Sequence, residues 1–212
     1  LFVGFFVMIV VLKFVFDALM GVGVTTSYQP EQPIAFSHKI HAGVNGIDCN
    51  YCHSSARHSK TSGIPSANLC MNCHTYISNG PNTGTKEIAK IYDAVGFDPE
   101  TKTYIEDYQE KPIKWVRIHN LPDHAYFNHS QHVVAGGLEC QDCHGAVEEM
   151  DVLYQHAELT MGWCVECHRE TEVKMEGNNY YTHLHEQLKE KYKGKPVTVD
   201  KMGGIECGKC HY

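Results

Sequence analysis

Apolar residues are distributed very unevenly along this chain. Of the 24 residues from Leu1 to Val24, 19 are apolar, three are glycine, and only Lys13 and Asp17 carry charge. As a helix this stretch would span roughly 36 Å at about 1.5 Å per residue, enough for the ~30 Å hydrocarbon core of a bilayer. It predicts a single N-terminal transmembrane anchor over 1–24. No small-x-small cleavage site precedes Tyr28, so a retained anchor is expected rather than a removed leader. The chain opens on Leu1 rather than methionine, which implies that residues precede it. Lys13 and Asp17 stand four apart on one helix face. They either neutralise each other or snorkel, or they mark the face that packs against other membrane subunits.

Beyond Val24 the periodicity is sparse. Ile88, Ile91, Tyr92 and Val95 recur at helical spacing and predict a short helix, Phe97 to Thr101 reads as a turn, and Tyr180 to Lys193 predicts a second helix before the Lys193-Gly194-Lys195-Pro196 break. The remaining 188 residues are too polar for a large conventional core, since only 42% of the whole chain is hydrophobic and much of that lies in the first 24 residues. With 18 basic and 25 acidic residues and no basic stripe, nucleic acid is not an expected partner. Something other than aliphatic side chains has to organise the polar part.

The cysteines supply it. All ten fall in C-x-x-C pairs, and histidine follows each pair: Cys49/Cys52/His53, Cys70/Cys73/His74, Cys140/Cys143/His144, Cys164/Cys167/His168 and Cys207/Cys210/His211. On a helical turn, residues i, i+3 and i+4 share one face. Two thiols there can form thioethers with the vinyl groups of one haem while the histidine reaches its iron, which is the attachment signature of c-type haem. Zinc would leave one pair unmatched and all five histidines idle. A disulfide framework needs no histidine, a thioredoxin-like motif occurs once beside a βαβ pattern, and iron–sulfur sites want a tighter cysteine run. Five covalently bound haem c groups are therefore expected. His53 and Cys70 lie only 17 positions apart, so the porphyrins must pack together and serve as the core. The apolar stripe of the 81–118 segment is expected to cover them.

An internal repeat nominates further iron ligands. Phe36-x-His38-x-x-His41 precedes Cys49 at the same offsets as Phe127-x-His129-x-x-His132 precedes Cys140. Histidines three apart can diverge to two porphyrins, so His38, His41, His129 and His132 are four candidate sixth ligands. For the fifth iron, His119 is preferred, with Met150 and Met161 as alternatives. His58, His124, His156, His183 and His185 are the other unassigned histidines, and Met71, Met175 and Met202 the other methionines outside the anchor. The organisation expected is an anchor (1–24), a first dihaem cassette (25–80), a linker with a short helix (81–118), a second dihaem cassette (119–180) and a fifth-haem segment (181–212). The fold class is mostly irregular with short α-helices, a multihaem cytochrome c of class III or c7-like cassettes plus one transmembrane helix. Because c-type haem is attached outside the bacterial cytoplasmic membrane, the haem part is expected on its periplasmic face.

The order of these features resembles a known family. It runs from the membrane helix through Phe36-x-His38-x-x-His41 and two haem motifs to Arg117-Ile118-His119-Asn120-Leu121-Pro122-Asp123, then Phe127-x-His129-x-x-His132, two motifs including Met161-Gly162-Trp163-Cys164, and a last motif. This resembles the pentahaem cytochrome c subunit of alternative complex III across nearly the whole chain. The resemblance implies a bacterial respiratory complex that oxidises quinol, with an iron–sulfur subunit, quinol-binding membrane subunits and a monohaem cytochrome c as partners. It implies an electron carrier rather than an enzyme in its own right, with electrons leaving towards a periplasmic cytochrome c or terminal oxidase. Two rivals stand beside it, a stand-alone membrane-anchored quinol dehydrogenase and a catalytic multihaem reductase of the nitrite reductase type. The latter marks its active haem with lysine, and all five motifs here keep histidine. Residues 119–180 carry 11 acidic and two basic side chains, a solvated face or one that steers a basic electron-transfer partner.

Overall fold

A computed structural model of the chain describes residues 2–174 and 179–212. Its first helix, α1, runs over Phe2–Met20, about 28 Å at ~1.5 Å per residue, with no buried side chain. By length and composition it can cross a membrane. It stops four residues short of the expected Val24 because Gly21 and Gly23 lie in a turn, Gly23 at φ 84°, a left-handed conformation that favours glycine. Lys13 Nζ lies 2.5 Å from Asp17 Oδ2 on the helix surface. The chain then ties itself to Gln155, which is 1% exposed. Thr25 Oγ1 donates to Gln155 Oε1 at 2.7 Å, the Ser27 amide donates to the Gln155 carbonyl, and the Gln155 amide donates to the Tyr28 carbonyl.

The sequence repeat is a structural repeat. Each F-x-H-x-x-H segment enters a π-helical turn, Lys39–Val44 and Gln131–Ala135, with i+5 bonds from Asn45 to Ile40 (3.0 Å) and from Gly136 to Gln131 (2.8 Å). Gly46 and Gly137 then reverse the chain at φ 64° and 59°. Ile47 and Leu138, one residue on, each return an amide at 3.1 Å to the carbonyl of the second histidine, His41 or His132. The short helices of the first and third cysteine motifs follow, α2 (Cys49–Cys52) and, later in the chain, α5 (Gln141–His144). At constant offset the match extends from Phe36–His53 to Phe127–His144, further than the histidine spacing alone.

Protein-built hydrophobic packing is concentrated in one place. Helix α3 (Ala67–His74) carries the second motif and packs against α4 (Lys86–Val95). Ile88, Ile91, Tyr92 and Val95 are buried with Ile34, Met71 and Phe97. The stripe thus covers protein directly, and Tyr92 Oη donates to the His74 carbonyl at 2.7 Å, fastening this lobe to the second motif. Gly96 at φ 68° caps α4 in the left-handed conformation, under the ring of Tyr108. The expected turn at Phe97–Thr101 opens a hairpin instead of a loop. Strands β1 (Phe97–Asp98) and β2 (Thr103–Tyr104) pair antiparallel, and the Asp98 carboxylate accepts the Glu100 amide at 2.9 Å. Two-residue strands leave too short an alternation to read in sequence.

The second half holds α5, then α6 (Met161–Glu170), α7 (Asn179–Lys191) and α8 (Cys207–Cys210). Thr160 caps α6 by accepting the Trp163 amide at 3.2 Å. The helix expected at Tyr180–Lys193 is α7, and Lys193 and Gly194, both at positive φ, end it. Among the described residues beyond Ile118, the buried apolar side chains are Met150, Ala157 and Val197. That is too little to organise the three cysteine motifs found there.

Candidate cofactor sites

Seven of the imidazoles share one local geometry. His53 turns Nδ1 to the Gly63 carbonyl (2.7 Å), His74 to Ile77 (2.8 Å), His168 to Gly204 (2.7 Å) and His211 to His124 (3.2 Å). In the repeat segments His41 turns Nδ1 to Ser37 (2.8 Å), His132 to Asn128 (2.8 Å) and His129 to Lys60 (2.7 Å). A carbonyl oxygen only accepts, so each Nδ1 carries the proton and each Nε2 is left with a free lone pair. That tautomer, locked from behind, is the one a metal ligand requires. The phenylalanines add a second constraint. Phe36 stacks on His41 at 4.2 Å and meets His38 edge-on, and Phe127 repeats both contacts with His132 (4.3 Å) and His129.

Pairs of rings face one another at a common separation. His41 and His74 have centroids 6.2 Å apart, His132 and His168 6.1 Å, and His129 and His144 6.5 Å. Metal–imidazole nitrogen bonds run about 2 Å and the ring centre lies about 1 Å further back, so two rings on opposite faces of one metal have centroids about 6 Å apart. Among the described residues no group of three or more histidine, cysteine or acidic side chains converges as a bare metal site. Two imidazoles suffice only for a metal that arrives already held in a macrocycle. The residues fit haem iron.

His38 and His144 are the most perturbed. Burial, then the neighbouring His53 and His41, holds His38 down at about 4, and its buried Nδ1 has no hydrogen-bond partner. Burial, then His119 and His129, holds His144 at about 3. Both rings are therefore neutral, as ligands must be. His119 Nε2 sits 3.2 Å from His144 Nδ1, with the rings at 89°. Of the other fifth-iron candidates, Met150 is buried and Met161 is 71% exposed at the start of α6. His124 stacks on His211 with centroids 5.5 Å apart, a placement sequence spacing did not single out. His58, His156 and His183 are exposed, His185 and Met202 are half-buried, Met71 belongs to the α4 core, and Met175 lies outside the described residues.

None of the ten cysteines is paired in a disulfide. Burial raises the thiols of Cys52, Cys70, Cys140 and Cys164, and pushes Cys143 up to about 11. Neighbouring motifs add to it: Cys73 acts on Cys52, Cys49 on Cys140, Cys167 on Cys143 and Cys210 on Cys164. Hydrogen bonds give three of these four adjacencies. Asn72 of the second motif donates to Tyr51 Oη of the first (2.9 Å), the Lys39 amide donates to Met150 beyond the third, and the fourth reaches the approach to the fifth through His168 and Gly204. The motifs therefore lie in a file, second–first–third–fourth–fifth. The two exposed cysteines, Cys73 and Cys207, belong to its two ends.

Residues 21–105 match the model of the class III cytochrome c family. Over that segment, which spans the first two motifs, the first repeat segment and α4, the chain is similar to multihaem cytochromes c. The chain is also 29% identical to the menaquinone reductase, multiheme cytochrome c subunit, of Nitratidesulfovibrio vulgaris, over 66% of this chain and 69% of that protein. The carbonyls behind the imidazoles went unnoticed in the sequence because any residue can supply one.

Proposed function

We propose that this chain is the electron-carrying subunit of a quinone-linked membrane complex, holding five covalent c-type haems and anchored by α1. The facing imidazole pairs with carbonyl-locked Nδ1 atoms carry the proposal, because they provide two strong nitrogen donors per iron and leave no open coordination position there. His41 and His74, His132 and His168, and His129 and His144 are the ligand pairs we assign. His38 pairs with His53 by the repeat and by the electrostatic influence of His53 on it, and His211 is the proximal ligand of the fifth iron. His124 joins Met150 and Met161 as its candidate partner, from its stacking on His211. When bound, haem supplies one-electron iron chemistry. The protein's part is to hold each imidazole oriented, to space the attachment sites in a file, and to present one end at Cys73 and the other at Cys207.

The order of motifs favours quinol oxidation within alternative complex III, with iron–sulfur, quinol-binding and monohaem cytochrome c partners on the periplasmic side. The similarity to a menaquinone reductase subunit favours the opposite direction, delivery of electrons to menaquinone. Purified from native membranes, the complex is expected to give five haems per chain by pyridine haemochrome, and to stay unreactive towards carbon monoxide when reduced. A count of four or fewer, or stoichiometric carbon monoxide binding, overturns the carrier assignment. Turnover with menaquinol against turnover with menaquinone separates the two directions.

A further inference from the structure

Seven of the imidazoles rest their Nδ1 on a main-chain carbonyl, and His144 does not. Its Nδ1 points at the side chain of His119, 3.2 Å away, with the rings edge to face and 4.3 Å between centroids. We infer that His119 is not an iron ligand but a positioning residue, whose Nε2 accepts the Nδ1–H bond of the iron ligand His144 and sets the potential of that haem apart from the others. This rests on the ligand pairing proposed above.

With His144 bound to iron through Nε2, its remaining proton is on Nδ1, so His144 donates and His119 accepts. An imidazole nitrogen is a more basic acceptor than an amide oxygen. It draws the Nδ1 proton more strongly and makes His144 the more electron-rich ligand, which stabilises the oxidised iron and lowers its potential. The opposite face of the same site is already taken. His129 faces His144 with centroids 6.5 Å apart and its own Nδ1 bound to Lys60. His119 therefore meets His144 at Nδ1, the nitrogen that iron binding through Nε2 leaves free. Its position is fixed by the neighbouring Ile118, which is 7% exposed.

Two variants of the full chain, in the native complex, test this. His119→Phe keeps the edge-to-face ring and removes the acceptor, while His119→Gln restores a carbonyl like those behind the other imidazoles. Both are expected to retain five low-spin haems and to ignore carbon monoxide. In redox titration followed by electron paramagnetic resonance, one midpoint should rise, more in His119→Phe than in His119→Gln, with altered g-values for one ferric haem and the other four unchanged. If all five midpoints stay in place in either variant, the inference is overturned. It is equally overturned by a high-spin signal with carbon monoxide binding, which would make His119 a ligand. A wild-type complex that is itself high-spin or short of haem instead defeats the underlying carrier assignment.

Discussion

The two halves of the repeat are alike where they place the proposed iron ligands and differ in everything that backs them. Phe36 and Phe127, the π turns, and the Gly46 and Gly137 reversals superimpose feature on feature. Around the first half the protein adds α4 and a core of its own, whereas the second half has almost no buried aliphatic residue. Even within the repeat the neighbours diverge. Gly43 lies against the Glu148 carbonyl, so closely that a Cβ would overlap it, while its counterpart Val134 is 59% exposed. What is kept is the part that orients the paired histidines. What varies is the part that packing can supply in several ways.

The largest expected effect would break the likeness in both halves equally. His41→Ala and His132→Ala should each open one iron, giving a high-spin signal and one equivalent of carbon monoxide binding in the reduced protein. An effect in one half only would show that the two segments do not play the same role. Next, Ile91→Ala should destabilise the α4 lobe by about 2–5 kcal/mol, as cavity-forming changes in a core do. Hydrogen exchange should locate the loss in 67–97 and spare 127–170. Gly43→Val should cost roughly 1–3 kcal/mol by overpacking against Glu148, while Val134→Gly should cost about 1 kcal/mol or less, measured as thermal midpoints of haem-loaded protein. The smallest effect concerns pH. Glu87 lies below its ordinary value of 4.5 because Lys90 and the Ala35 amide hydrogen-bond its carboxylate. Its contribution is present in full above that value and lost as pH falls through the depressed one. The stability gap between wild type and Glu87→Gln should therefore close under acid, and a gap independent of pH would remove Glu87 from the account.

Much of this was legible in the sequence because spacing carries it. Cysteine pairs with a trailing histidine, histidines three apart, and the helical stripe at Ile88, Ile91, Tyr92 and Val95 are all short-range patterns. The stripe does form a helix, and α1 and α7 form near their expected bounds. The hairpin at Phe97–Tyr104 was not legible, since four paired residues leave no alternation to detect. Nor was the place of His119. Sequence put it near the second cassette and gave no sign of whether it would meet a metal or another imidazole, which depends on a contact 25 positions away. The file of motifs was hidden for the same reason. Motif order along the chain starts with the first, whereas the spatial file starts with the second, because Tyr51 and Asn72 meet on one side while Lys39 and Met150 meet on the other.

The clasp around Gln155 bears on how the chain meets other molecules. Only residues 21–24 separate α1 from Thr25, the first residue that the clasp holds, a reach of no more than about 14 Å fully extended. With α1 in a bilayer, the body is mounted like an instrument on a short post, at nearly fixed height. It cannot swing out to survey the space around it. Any mobile carrier would then have to do the searching.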